Sequence, residues 1–228
     1  MKKTFTVITL IAVILIIFAA YFGIYGIEIP EEYAIVREGF KNTLTITLIS
    51  AGVAHIAAIL PGILLGKAGR KATGVISGII GSLWVVAPFL VSALLITLLG
   101  NDFYMITAAV TIPMFGMSVC AVADITVQTR ERNFKVHKLT LSGGKYFKVY
   151  TVPYVLMPYF EAAMRVLRTA FYTVILLEAL NIPGTANLGG LIGNENTAVS
   201  GTALAVAGIF VLLIQLLCIL TKQKEETR

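Results

Sequence analysis

Apolar residues run through this chain in long blocks, and most of its charges gather in the gaps between them. A hydrocarbon core of roughly 30 Å takes roughly 20 helical residues to cross. Six blocks meet that length: Phe5 to Gly26, Leu44 to Leu65, Val75 to Leu99, Phe103 to Ala123, Tyr159 to Leu180 and Gly201 to Leu220. Each predicts a transmembrane helix. Pro113 interrupts the fourth block, a breaker that is tolerated where a neighbouring helix satisfies the freed backbone group. The first block follows Lys2 and Lys3 and has Ala19 and Ala20 near its end, so it reads either as a retained anchor or as a signal peptide. Its length favours the anchor.

The gaps orient the blocks. One set of connections carries Lys2, Lys3, Lys67, Arg70, Lys71, Arg130, Arg132, Lys135, Lys138, Lys145, Lys148, Lys222, Lys224 and Arg228, whereas the opposite set carries only Arg37 and Lys41. Basic residues collect on the cytoplasmic side. Both termini and the basic loop from Val127 to Tyr150 are therefore expected in the cytoplasm of a multi-pass cell-membrane protein.

Composition agrees. Of 228 residues, 57% are hydrophobic and 13% charged, with a mean hydropathy of +0.88. A water-soluble domain of that make-up would leave too much apolar surface uncovered. The net charge of +6 forms no stripe interleaved with stacking aromatics, so it implies topology and not nucleic acid. Cys120 and Cys218 sit inside apolar blocks without neighbouring ligands, as small core residues and not a metal site or disulfide. No period of 20 to 50 residues repeats, which leaves an inverted-repeat transporter without positive support.

Motifs for catalysis are missing: the chain holds no HExxH, no GxSxG and no nucleotide-binding GxxxxGK[ST]. His55, in the second block, reads as an interhelical hydrogen-bonding residue in preference to a ligand. An enzyme is therefore not expected, and energy for any work must come from an ion gradient or another subunit. The basic loop spans 24 residues, long for a connection here, and interleaves Phe134, Val136, Leu139, Leu141, Tyr146, Phe147 and Val149 with its charges. That pattern predicts short amphipathic helices broken at Gly143 and Gly144. Two roles stay open for it, a stretch lying on anionic headgroups and a docking helix for a cytoplasmic partner.

Glu161, Arg165, Arg168 and Glu178 lie in or beside the fifth block, and ionised groups at that depth face protein or water. Glu161 and Arg165, four residues apart, are placed to pair. Arg168 is the better candidate for lining a pathway, and Glu178 either holds the segment after it or meets substrate. That segment, Asn181 to Ser200, is rich in Gly and Asn and predicts a re-entrant or loop element.

Read together, these segments resemble the permease subunits of binding-protein-dependent ABC importers. Arg130-Glu131-Arg132-Asn133-Phe134 is similar to the opening cluster of their cytoplasmic loop, Ser142-Gly143-Gly144 stands near its glycine, and Lys145 to Tyr150 resembles the basic-aromatic stretch after it. Pro153 and Pro158 match the loop-to-helix prolines. Glu178 with Pro183-Gly184 and Leu188-Gly189-Gly190-Leu191 resembles the close of the fifth core span in the dipeptide, oligopeptide and nickel branch, while Asn42 to Thr47 and Pro61 to Gly66 resemble the entry to the first core helix. The family's EAA segment is degenerate here: His137 and Lys138 stand where it has alanines, and the interval to the first proline is about two residues short.

The resemblance implies an all-α polytopic bundle of about six helices of the MetI-like permease type. Residues 1–40 would be an anchor and outer loop, 41–221 the permease core with its coupling loop at 127–150, and 222–228 a cytoplasmic tail. It implies no cofactor on this chain, with ATP used by two cytoplasmic ATP-binding subunits, a second permease of paralogous sequence, and an extracytoplasmic solute-binding protein. Phe134 would fill the groove of the ATP-binding subunit, ringed by Arg130, Arg132, Lys135 and Lys138. The alternatives are a gradient-driven transporter or channel using Glu178, Arg168 or His55, and a membrane scaffold with a lipid-binding loop.

Overall fold

The computed structural model describes residues 31–83, 88–100, 102–132, 134–180 and 187–226, and over these the chain is all-α. The expected first span, Phe5 to Gly26, lies outside the described residues, as do Pro183, Gly184, Arg228 and the side chains of Phe134, Lys135, Cys218, Lys222 and Lys224. The second block forms α1 (Glu31–Ala57) and α2 (Ile59–Ala68), bent by 41° at Ala58. Pro61 explains the bend, because its ring crowds the carbonyl four residues back, that of Ala57, and withholds the N–H that would have bonded it.

The third block becomes α3 (Arg70–Leu83) and α4 (Pro88–Leu99), with residues 84–87 outside the description. The fourth forms α5 (Phe103–Glu131), which runs unbroken through Pro113 and eight residues past the expected end at Ala123. Its continuity has a local cause. Pro113 leaves the Ala109 carbonyl without its helical donor, and the Ser92 hydroxyl of α4 donates to that carbonyl at 3.0 Å.

After α5 come two short helices, α6 (Phe134–Thr140) and α7 (Gly143–Tyr146), then a wide π-type helix over Phe147–Leu156 that runs directly into α8 (Met157–Ala179). The wide helix contains Pro153 and ends two residues before Pro158. Prolines five residues apart spoil the ordinary i→i−4 ladder, and at the junction the Met157 N–H bonds the Val152 carbonyl one residue further back. A five-residue helix, α9 (Leu188–Ile192), and α10 (Thr197–Glu226) complete the described chain.

Two apolar cores hold the bundle, and α1 and α8 contribute to both. Phe40 of α1, Phe171 of α8, Leu188 and Leu191 of α9, and Phe210 and Ile214 of α10 pack as one cluster. Ile46 and Ala54 of α1, Ile96 of α4, Val110 and Met114 of α5, and Val166, Val174 and Leu177 of α8 pack as the other. Against α5, α2 makes its closest approach through Gly62 and Gly66. A Cβ on Gly62 would lie 2.6 Å from Val122 Cβ, and one on Gly66 2.5 Å from Thr126 Cβ. This is the small-xxx-small contact of membrane helices, in parallel register, so both helices run toward the basic end of the bundle.

By length and composition, α5 and α10 are each apolar enough to cross a membrane, and the bent α1–α2 pair makes a third crossing if it is one span. Of the six predicted blocks, the first lies outside the described residues and the third is interrupted by residues 84–87, which also lie outside them. The fifth block's helix, α8, is long enough at 23 residues but carries four charged side chains. Large apolar side chains remain exposed around the bundle, among them Ile56, Leu60, Leu98 and Leu212.

Candidate functional site

Polar side chains gather at three levels along α8. At the end remote from the basic loop, Glu178 is buried, and its carboxylate accepts the Gly189 N–H at 2.9 Å and the Thr43 hydroxyl proton at 2.8 Å. Thr43 Oγ1 in turn accepts the Leu188 N–H at 3.2 Å. Leu188 and Gly189 are the first residues of α9, whose own N-cap residue, Asn187, supplies no side-chain cap. The first N–H groups of a helix lack internal partners, and here α1 and α8 cap a helix they are not part of. A Cβ on Gly189 would lie 2.2 Å from the Ile175 carbonyl oxygen, so only glycine lets α9 sit this close to α8. These bonds attach Glu178 to Thr43 of α1 and to the start of α9.

Midway along α8, Arg168 donates to Gln215 Oε1 of α10. The guanidinium thereby spans the α8–α10 interface and is half-buried. Nearer the basic end, Arg165 and Glu161 form the expected i, i+4 pair at 3.5 Å, with the Arg165 side chain largely exposed. Surface pairs of this kind contribute little to stability, roughly 0 to 1 kcal/mol.

Glu161 and Arg165 also line a cavity of about 520 Å³ between α5 and α8, together with Asp124, Gln128 and Pro158. Asp124 and Gln128 are the members that reading the sequence by apolar blocks leaves out. The available signal is their i, i+4 spacing immediately past the fourth block, on a helix that continues. Two acids, one base and an amide around one void make a site able to hold a small polar or charged solute.

At the basic end, Arg130 donates to the Lys67 carbonyl at 2.8 Å and so ties the end of α5 to the end of α2. The Arg132 guanidinium sits 4.6 Å from the centre of the Tyr154 ring, a cation–π contact. Tyr146 at the end of α7 and Tyr150 and Tyr154 on the wide helix, spaced four residues apart, stack at 5.7 and 6.1 Å, and His137 of α6 stacks on Tyr150 at 4.3 Å. The aromatic column anchors α6 to the helix that leads into α8. The outer side of α6 is open: Leu139 is 89% exposed, and Val136 and Lys138 are exposed too.

One detail of the expected loop is corrected. The break falls at Leu141 and Ser142, where Ser142 is extended, and Gly143 and Gly144 begin α7 with open space where a Cβ would stand. The structure thus brings Arg130, Arg132, Lys138, Gly143, Gly144, Pro153 and Pro158 to one end of the bundle, Arg168 to the middle and Glu178 to the other end. His55 meets the Ser118 hydroxyl of α5 at 3.2 Å and the Tyr159 ring at 4.5 Å, an interhelical contact. No protein-family model and no curated protein matches the sequence.

Proposed function

We propose that this chain is the transmembrane permease subunit of an ABC importer of the MetI-like type, lying in the cell membrane with its basic end in the cytoplasm. The observation that carries the reading is α6. A short helix with an exposed apolar and basic side stands between two long helices and is fastened by stacked rings to the one that continues as α8. A helix in that position converts a push from a cytoplasmic ATP-binding subunit into movement of the bundle. The chain's own residues offer no nucleotide-binding loop, so ATP is hydrolysed by two partner subunits, and a second, paralogous permease completes the pathway. A solute-binding protein delivers substrate at the opposite face, a peptide, nickel or another small solute in the branch the sequence resembles.

The polar cavity between α5 and α8 supports a second reading, a gradient-driven transporter in which Asp124, Glu161 and Arg165 handle an ion. One experiment separates the two. The chain is co-expressed with its genomic neighbours, purified and reconstituted, and uptake is measured with ATP or with an ion gradient. The importer reading expects a stable complex with an ATP-binding protein, lost in Leu139→Asp, and ATP-dependent uptake that Phe134→Ala uncouples from hydrolysis while the protein still inserts. Truncating an aromatic anchor typically weakens such an interface by about 2 to 4 kcal/mol. Gradient-driven uptake by the chain alone would overturn it.

A further inference from the structure

Beside the polar cavity lies a larger void of about 930 Å³ that neither reading uses, walled by α2, α5, the wide helix and the first residues of α8. Its walls are apolar, with Ile59 and Ile63 from α2, Val122 and Ile125 from α5 and Leu156 from the wide helix. Among the described residues, the charged side chains lining it, Lys67 and Arg130, are both cationic. The parallel register of α2 and α5 fixes where those cations stand. Ile59 precedes Lys67, and Val122 precedes Arg130, by eight residues each, so both cations lie about 12 Å along the helix axes from the apolar floor, at the basic end. A third feature adds to the charge. Thr129, also in the lining, has a buried hydroxyl without a hydrogen-bond partner, a state that costs about 1 to 3 kcal/mol if left so.

The geometry points to an anionic phospholipid of the leaflet at the basic end as the occupant, with acyl chain along Ile59, Ile63 and Val122 and phosphate at Lys67 and Arg130. An apolar floor with paired cations at its mouth complements an amphiphile with one negative head. A soluble anion would leave the apolar walls bare, and a zwitterionic lipid would gain less from the cations. The Thr129 hydroxyl in the lining is a polar group that the ester or phosphate oxygens could satisfy. The inference rests on the bundle being embedded in a membrane and not on the importer reading, since lipid occupancy requires no ATP-binding subunit.

The test uses the full chain in a neutral detergent, with phosphatidylglycerol, phosphatidylcholine and inorganic phosphate as probes, read by native mass spectrometry and thermal unfolding. Phosphatidylglycerol should be retained and should raise the melting temperature, phosphatidylcholine should do so weakly, and millimolar phosphate should not displace the lipid. Lys67→Gln with Arg130→Gln should weaken phosphatidylglycerol binding by roughly 10- to 30-fold. Ile63→Trp, which fills the floor and keeps the cations, should also abolish retention, and a circular dichroism spectrum like the wild type's checks that both variants fold. Equal binding of the two lipids, displacement by phosphate, or unchanged affinity in either variant would overturn the assignment, as would a second copy of the chain closing the void in a lipid-free dimer. A wild-type chain without lipid selectivity would leave the importer reading standing, and a wild-type chain without an ATP-binding partner would leave lipid binding standing.

Discussion

Thr43→Val isolates the knot at Glu178. Valine keeps the shape of threonine, so the substitution opens no cavity, and all of its effect comes from the lost hydroxyl. That hydroxyl is fully buried; it donates to the Glu178 carboxylate at 2.8 Å and accepts the Leu188 N–H at 3.2 Å. Removing it leaves one buried donor unsatisfied and one carboxylate under-satisfied, and each such group costs about 1 to 3 kcal/mol. Side-chain bonds between membrane helices often measure less, averaging about 0.6 kcal/mol, because separated helices find other partners. Leu188 has no such alternative while α9 is formed, since the first N–H of a helix has no internal acceptor and Asn187 does not cap it. The expected loss is therefore about 2 to 3 kcal/mol. At about 2 to 4 °C per kcal/mol for a chain of this size, the melting temperature falls by about 4 to 12 °C. Thr45→Val is the control, because the Thr45 hydroxyl only bonds back to the Lys41 carbonyl of its own helix, and a shift within about 0.5 kcal/mol is expected. Thermal unfolding of both variants in detergent decides the matter: if Thr43→Val melts with Thr45→Val, the knot does not hold α9.

Ser92→Ala should cost about 1 to 3 kcal/mol by orphaning the Ala109 carbonyl, and adding Pro113→Ala should recover most of it by restoring the helical donor; a cycle showing strict additivity would refute the compensation. Gly66→Val should part α2 from α5 and lower folded yield, because its Cβ alone would stand 2.8 Å from the Ala123 carbonyl oxygen. Gly78→Ala, where nothing lies within 4 Å, should hold or gain up to about 1 kcal/mol of stability in the same detergent assay. Asp124→Asn should leave the melting temperature within about 1 °C yet change uptake, as a cavity-lining group would; a loss as large as that of Thr43→Val would make Asp124 structural instead.

The described elements were legible where apolar blocks coincide with helices, and less so where helix and hydropathy part company. The fourth block ends at Ala123, but α5 continues to Glu131, since Asp124, Gln128 and Arg130 sustain a helix while leaving the hydrocarbon pattern. Hydropathy marks where a segment stops being apolar and not where its backbone stops being helical. That difference hid Asp124 and Gln128 from the candidate site. Glu178 stood out as a charge among apolar neighbours, but its partner Thr43 is 135 residues away, and no local pattern pairs them. Gly62 and Gly66 were visible as part of a motif, whereas their role as the close contact with Val122 and Thr126 needed the two helices side by side. In the basic loop the choice of breaker went to glycine by composition. The chain turns instead at Leu141 and Ser142, where α6 runs out of helical bonds after Leu141 N–H to His137.

Hydrogen bonds join α1 to three of its neighbours among the described helices. Ser50 and His55 tie α1 to α5, Thr43 ties α1 to Glu178 of α8, and Arg168 ties α8 to Gln215 of α10. Between α5 and α8 the contact is mostly apolar, through Val110, Met114, Val166 and Val174, and the cavity holding Asp124, Glu161 and Arg165 opens along the same seam. Apolar surfaces can slide by fractions of a turn at small cost, since their attraction is non-directional, whereas a directional bond is lost within about half an ångström to one ångström of movement. If the bundle rearranges, opening the α5–α8 seam requires a hinge at α1, which is bonded to both helices, while the seam's own apolar contacts resist sliding least. The polar cavity lies at that seam, and the helix with the exposed apolar edge, α6, is covalently placed between the two helices that border it. A push on α6 would thus act across a seam that is polar enough at its cavity to receive a solute and is held elsewhere mainly by apolar contacts.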